Sequence, residues 1–267
     1  MIEIEAPTNL LQILRDPLDH AALAMQDGAL VNTGSQRRYS IVNSIPVLLE
    51  PADLGPQNLK IQKMYQWMSR GFDLSDRLGN LFSLGALNRM RSALVQRLGL
   101  KPGMRCLYTS IGTGLDLRFL NESVPLEQME LVGLDLSMGM LEQCKKKLRR
   151  YEQTTLLVQA NAERLPFADQ SFDVVFHVGG INLFDRPAEA VREMVRVARP
   201  GSLILYCDET SKVVKDLYQK NPLTRAACKD ISSQFDPRQW VPEGAIDTVY
   251  EEIPNGRMYL LSFRRSD

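Results

Sequence analysis

The chain has 267 residues, 44% of them hydrophobic and 24% charged, with Lys+Arg and Asp+Glu balanced at 32 each. That length suits one substantial α/β domain with a small appendage, and the balanced charge offers no surplus of cations to track a phosphate backbone, so no nucleic-acid partner is expected. The N-terminus lacks a basic-then-apolar secretion pattern and no apolar run reaches the roughly 20 residues of a bilayer span, so a cytoplasmic protein without stable membrane insertion is expected.

In chain order, Leu10, Leu11, Ile13 and Leu14 form an apolar helical patch. Short strand-like runs follow at Ala29–Asn32, Tyr39–Val42 and Ile45-Pro46-Val47-Leu48-Leu49. The stretch from Glu50 to Pro56, with two prolines and a glycine, breaks both helical and strand periodicity. Leu59–Met68 and Leu87–Leu98 read as amphipathic helices flanking an irregular, Gly-containing segment, Gly71–Gly85.

From Arg105 onward strands and helices alternate. Cys106–Thr109, Leu131–Leu134, Thr155–Gln159, Phe172–Phe176 and Ser202–Cys207 read as strands. Helices lie between them, through Leu120, over Met138–Arg150 and over Ala188–Ala198, the last stopped by Pro200-Gly201. This rhythm predicts a parallel sheet covered by helices on both faces. Ile246–Ile253 and Arg257–Phe263 flank the turn signal Pro254-Asn255-Gly256, so the sheet should end in an antiparallel pair. None of the four cysteines, Cys106, Cys144, Cys207 and Cys228, forms a Cys-x-x-Cys pair. Reduced thiols are expected, with Cys106 and Cys207 buried.

The stretch Tyr108-Thr109-Ser110-Ile111-Gly112-Thr113-Gly114 follows a strand and opens a helix. Glycines there let the backbone approach a ligand closely, although a plain tight turn would use them equally well. Asp135 ends the next strand about twenty residues on, where a carboxylate can accept both hydrogen bonds of a ribose diol. It could instead cap the helix beginning near Ser137. Position 117 is Leu, which does not supply the third glycine of a dinucleotide site.

Further on come Asn161-Ala162-Glu163-Arg164-Leu165-Pro166-Phe167, Ser171-Phe172-Asp173-Val174-Val175 and Arg192-Glu193-Met194-Val195-Arg196-Val197-Ala198-Arg199-Pro200-Gly201. In this order, with the glycine stretch and the acidic strand end, they resemble class I S-adenosylmethionine-dependent methyltransferases. The nearest branch is the ubiquinone/menaquinone C-methyltransferases, the UbiE group. Met64-Tyr65, Phe72-Asp73 and Ser83-Leu84-Gly85 resemble that group's lid segment, Asp135 to Leu141 its DxSxxML motif, and Asn182 to Arg186 the stretch after its fourth strand.

The resemblance implies an α/β fold: a Rossmann-like, seven-stranded mixed sheet with helices on both faces. It also implies S-adenosyl-L-methionine as cofactor and methyl transfer to a small, aromatic, quinone-like or secondary-metabolite acceptor. Thr109, Ser110, Gly112, Thr113 and Gly114 would line the methionyl and ribose part. Asp135 would hold the ribose hydroxyls, Leu136 would also contact the cofactor, Met138 would pack on the adenine, and Asn161-Ala162 would face its edge. His177 would lie near the sulfonium and serve as the candidate base, or merely pack beside the cofactor. Tyr65, Phe72 and Trp67 would form an aromatic lid, unless Tyr65 and Trp67 face the core of their helix. Tyr108 stands where the family has an acid that helps fix the cofactor's ammonium group, and tyrosine is neutral at physiological pH. Asn161 replaces an Asp, and Phe72 lacks a tyrosine's hydroxyl.

The N-terminal stretch resembles the small zinc-ribbon domain found on some methyltransferases. At its metal positions stand Asp16, Asp19, Asn32 and Ser35, with no thiolate, so no metal is expected. His20 reads as a solvent-facing loop residue. The expected organisation is a degenerate ribbon module at 1–52, a helical lid or linker at 53–100, and the cofactor-binding domain at 101–267. The module could serve a homodimer or a protein partner. Two other functions fit the same residues: a cofactor-binding protein with lost or altered activity, and an RNA methyltransferase.

Overall fold

A computed structural model describes residues 4, 7–50, 54–82, 84–151, 155–213, 215–216, 220, 235–253 and 256–267. Cys228, Ser83, Pro51 to Asp53 and the Pro254-Asn255 half of the hairpin turn lie outside the described residues.

The first helix, α1 (Thr8–Leu11), is a single turn. It stops there because residues 13–15 become extended and lace onto 166–168, with Arg15 N donating to Pro166 O and Ala168 N to Ile13 O. Next come β1 (Leu23–Gln26), β2 (Ala29–Asn32), β3 (Arg38–Tyr39), β4 (Ile41–Val42) and β5 (Ile45–Leu48). The first three form a small antiparallel sheet, whereas β5 leaves it for the large one.

Three helices follow: α2 (Pro56–Met68), α3 (Phe72–Phe82) and α4 (Ala86–Arg97). The middle one replaces the irregular segment expected from Gly71, Gly79 and Gly85. A lone interior glycine costs only about 1 kcal/mol, and tertiary anchors on α3, described below, outweigh it.

The remaining elements are β6 (Arg105–Tyr108), α5 (Leu117–Ser123), β7 (Glu130–Asp135), α6 (Met138–Leu148), β8 (Leu156–Ala160), β9 (Phe172–Val178), α7 (Pro187–Val197), β10 (Ala198–Glu209), β11 (Ile246–Ile253) and β12 (Met258–Arg264). The sheet order is β11-β12-β10-β9-β6-β7-β8-β5-β4. Seven of these strands make the expected mixed sheet, parallel except where β12 runs antiparallel to β10 and β11. The N-terminal segment adds two more, with Val47 opposite Gln159 and Leu48 opposite Ala160 in a parallel pair.

Parallel strands covered on both faces should be apolar throughout, and every residue of β8 is buried. Two hydrophobic layers result. One, around Phe167, Phe172, Tyr206 and Phe263, faces α7 and the N-terminal segment. The other, around Leu94, Leu117, Leu141 and Cys144, lies under α4, α5 and α6. Cys106, Cys144 and Cys207 are buried free thiols.

Asp16, Asp19, Asn32 and Ser35 come together in the structure. Asn32 Nδ2 donates to Asp16 (2.6 Å) and Asp19 (3.0 Å), and Asn32 Oδ1 accepts from Ser35 N (2.9 Å). The Arg37 guanidinium reaches Asp16 at 2.5 Å and Asp19 at 3.7 Å, and Tyr39 OH donates to Asp16 at 2.9 Å. An amide and a guanidinium thus satisfy the two carboxylates. Burial is the largest single influence on the Asp16 carboxyl and raises it, but the hydrogen bonds from Asn32, Leu18 N, Tyr39 and Arg37 together outweigh it and hold the group below its ordinary value.

Candidate functional site

β7 and β9 flank β6 on opposite sides, so the chain leaves β6 at a point where the connections diverge, the usual place for a ligand crevice at the carboxyl edge of an open α/β sheet. The Thr109–Gly114 loop lies there. It is tied down by Thr109 N to Phe176 O and by Ile111 N to Leu134 O.

Two glycines in the loop have positive φ, for different reasons. Gly112 (φ 54°) looks onto open space, its nearest neighbour to an added Cβ being Ser110 O at 3.9 Å. A Cβ on Gly114 (φ 74°) would meet Leu117 at 2.6 Å and Cys144 Sγ at 2.9 Å. Gly112 leaves room for a ligand, while Gly114 lets α5 and α6 close on the loop.

Asp135 holds two backbone segments together. Oδ2 accepts Gly112 N (2.9 Å) and Oδ1 accepts Ser137 N (2.9 Å), so it braces the loop and the entry to α6. Each carboxylate oxygen keeps a further lone pair, enough for a diol. Burial pushes its carboxyl up to about 6, and three backbone donors, of Ser137, Gly112 and Leu136, oppose that rise. The α6 cap itself is Ser137, which accepts from Met140 N. Leu136 and Met138 are half-buried beside this carboxylate, and Asn161 and Ala162 are buried at the end of β8. Asn161 Oδ1 accepts Glu163 N (3.0 Å), which uses one lone pair of the carbonyl expected to face an amino group. Asn161 also borders a crevice with Pro17, Leu48, Leu49 and Leu54, so the N-terminal segment forms one wall next to it.

His177 ends up buried at the close of β9. Nδ1 lies 3.0 Å from Thr109 Oγ1, and that hydroxyl also donates to Phe176 O at 3.3 Å. With its proton directed to the carbonyl, Thr109 accepts from Nδ1–H, which leaves Nε2 as a bare lone pair. Nε2 is buried without a partner. Burial lowers the ring's pKa to about 3, so the imidazole is neutral and only a weak proton acceptor at physiological pH. The ring meets Phe184 edge-on at 5.3 Å.

The lid rests mostly on side chains that the sequence did not single out, Asp73 of the lid motif excepted. Gln66 Oε1 accepts Gly139 N (2.7 Å) and Ser137 Oγ (3.2 Å), filling an orphan donor in the first turn of α6. Gln62 Nε2 donates to Leu136 O (3.2 Å). A Cβ on Gly139 would stand 2.7 Å from Ser69 Oγ, so α2 seats directly on that turn. From α3, Asp73 accepts from Thr113 Oγ1 (2.5 Å) and pairs with Lys147 (2.6 Å). Asp76 pairs with Arg91 (2.8 Å), and Arg91 also holds Asp116 (2.9 Å).

Tyr108 joins this network, donating to Asp116 Oδ2 at 2.6 Å. Burial, the largest cause, and the neighbouring Asp116 push the phenol well above its ordinary range, so it is neutral. The strand end itself thus carries no charge, and its hydroxyl is committed to a buried carboxylate that Arg91 already neutralises. Ser110 Oγ bridges to Val178 O and Val178 N, each at 3.2 Å. Tyr65 and Phe72 contact each other edge-on at 6.1 Å, but Trp67 faces solvent and belongs neither to an aromatic lid nor to a core. Asn182 is clamped by Tyr259 OH, Glu209 O and the buried Asp208, whose carboxyl burial and Glu209 hold well above the usual range. Among the described residues no group of three or more His, Cys, Asp or Glu side chains is placed to hold a metal ion.

A family described as "Methyltransferase domain" matches residues 107–206. The demethylmenaquinone methyltransferase of Staphylococcus aureus is 32% identical over 171 residues, covering 62% of this chain and 68% of the relative. The demethylmenaquinone methyltransferase of Renibacterium salmoninarum is 29% identical over 157 residues, covering 59% of this chain and 62% of the relative, just under two thirds of its length. Among solved structures, the Haemonchus contortus phosphoethanolamine N-methyltransferase 2 superposes with a TM-score of 0.55 at 16% identity, over 68% of this chain and 54% of that one. At that identity the likeness is one of fold.

Proposed function

This chain belongs to the class I S-adenosylmethionine-dependent methyltransferases, in their UbiE-like branch, and from that premise we propose that it transfers a methyl group to a small aromatic or quinone-like acceptor. The observation that carries the reading is the pairing, on one sheet edge, of an open glycine braced by Asp135 with a buried, unpartnered His177 Nε2.

These residues fit an adenosyl cofactor. Gly112 offers clearance, Asp135 two lone pairs for the ribose diol, and Leu136, Met138 and Ala162 an apolar flank for the adenine. The cofactor, when bound, supplies an electrophilic methyl group on a sulfonium. The chain's part is to align an acceptor in line with it and keep water out. His177 Nε2 accepts a hydrogen bond from an acceptor hydroxyl and orients it, a role open to a neutral ring of low basicity. Tyr65 and Phe72 cover the site beside α3. The N-terminal segment at 1–52 supports the wall near Asn161, and the lid helices at 53–100 complete the enclosure of the domain at 101–267.

The test is titration calorimetry with S-adenosylmethionine and S-adenosylhomocysteine on wild type and Asp135→Ala, followed by labelled-methyl transfer to a panel of phenols and hydroquinones. Binding by the wild type that Asp135→Ala loses, with transfer to a panel member, supports the reading. A folded wild type that binds neither ligand overturns it. A second reading, a protein that binds the cofactor but transfers nothing, draws on one observation: the strand-end tyrosine commits its hydroxyl to Asp116. Cofactor binding without transfer to any panel member would favour it.

A further inference from the structure

Helix α3 sits inside out. At about 100° per residue, Leu74, Leu78 and Leu81 share one stripe, and Asp73 and Asp76 lie on the opposite flank. A surface helix ordinarily turns its apolar stripe to the core. Here the acids turn inward, Asp73 to Lys147 and Thr113 and Asp76 to Arg91. The leucines are left 62%, 46% and 69% exposed. The apolar surface continues onto Trp67 at the end of α2, 85% exposed, and onto Leu84, 84% exposed.

The charges around this stripe are of one sign. Asp73 and Asp76 are the only acids between residues 63 and 84, and both are neutralised within the protein. Lys63, Arg70 and Arg77 are exposed and have no ion-pair partner among the described residues. Leucines and a tryptophan at the centre, with uncompensated cations beside them, match the apolar boundary and anionic headgroups of a bilayer. Trp suits that boundary because its ring is amphipathic. Self-association fits poorly, since a two-fold pairing of this face would bring the same three cations together.

We infer that α3 and the adjoining end of α2 dock on the surface of a lipid bilayer bearing anionic headgroups. The contact is peripheral, as no helix among the described residues is long and apolar enough to cross a membrane. The inference stands on this surface alone and is independent of the acceptor proposed above.

The full chain should co-sediment with phosphatidylcholine vesicles containing phosphatidylglycerol, and much less with phosphatidylcholine alone. Trp67 emission should shift to the blue and lose access to an aqueous quencher, a change absent in Trp67→Phe. Leu74→Ser/Leu78→Ser should reduce vesicle affinity at least about tenfold. Arg70→Glu/Arg77→Glu, which leaves the leucines intact, should reduce it at least about tenfold on anionic vesicles only. Unfolding curves of both variants should match the wild type, because the altered side chains are exposed. Equal binding by wild type and both variants overturns the inference. So does a wild type that ignores anionic vesicles, including one that dimerises through this face and becomes monomeric in Leu74→Ser/Leu78→Ser.

Discussion

The carboxylate of Asp185 occupies the place where any side chain on Gly55 would have to stand. It accepts Gln57 N at 3.1 Å and Asn58 N at 2.8 Å, and Asp185 N in turn donates to Asn58 Oδ1. This is a helix cap supplied from another part of the chain, and it joins the start of α2 to the segment following β9.

Gly55→Ala should therefore loosen α2 although its backbone (φ −67°, ψ 166°) suits any residue, because the added methyl displaces the cap. Asp185→Ala should cost about 1 kcal/mol, as losing an N-cap does. Both variants should show earlier proteolysis within residues 56–68 than the wild type, with the core unfolding transition little changed. Unchanged proteolysis in both would mean the cap does not hold the lid.

Restoring an acid at the strand end should fail. Tyr108→Asp would place a second carboxylate beside buried Asp116, where Arg91 already serves Asp116 and Asp76. Two close buried like charges are strongly unfavourable. We expect a loss of about 3 kcal/mol or more in denaturant unfolding, recovered in large part by Tyr108→Asp/Asp116→Asn.

Asp135 gives a pH dependence of definite sign. Its folded pKa, about 6, lies above the ordinary 3.8, so its contribution to folding is full below 3.8 and is lost as pH rises through about 6. Asp135→Asn should be more stable than the wild type above pH 6, the difference closing as pH falls toward 3.8. Cofactor affinity should run the other way in the wild type and weaken below about pH 6 as the carboxyl protonates. Calorimetry across that range measures both.

His177 moves in the opposite sense. With its pKa lowered from 6.5 to about 3, its neutral burial supports the fold above 6.5 and progressively less as pH falls toward 3. His177→Gln should lose less stability than the wild type between those limits. Its methyl-transfer rate should fall while the shape of the pH–rate profile stays the same, and a lost inflection near neutrality would instead identify a titrating base.

The N-terminal module should be indifferent to metal. Unfolding should be unchanged by zinc or by a chelator, whereas Asp16→Ala, which strands Asn32, Tyr39 and Arg37, should cost about 3 kcal/mol. A zinc-dependent rise in melting temperature would refute this.

The glycine loop and Asp135 were legible in the sequence because their roles are local: a strand end, a turn with positive φ and an acid one strand on. Asp16, Asp19 and Asn32, singled out by their spacing, do lie within hydrogen-bond reach of one another. The lid anchors were not legible. Asp73 belongs to the lid motif, but its partners could not be read; Gln66, Asp76 and Arg91 lie on helices and Asp116 at a helix start, far apart in sequence, where a single charged or amide residue looks like an ordinary solvated face. Helix α3 was missed for a related reason. Gly71, Gly79 and Gly85 argue against regular structure, and the ion pairs that hold it cannot be seen before the chain is folded.

The parallel pairing of Val47 and Leu48 with Gln159 and Ala160 joins residues made more than a hundred positions apart. During synthesis β5 must wait for β8, so the first fifty residues cannot complete their packing before much of the central sheet exists. Once paired, β5 shields the open flank of a strand whose five residues, Leu-Leu-Val-Gln-Ala, carry no charge. Removing the leading segment would uncover that flank, a template for pairing with other chains. The leading segment thus closes a sheet edge as well as walling the crevice near Asn161.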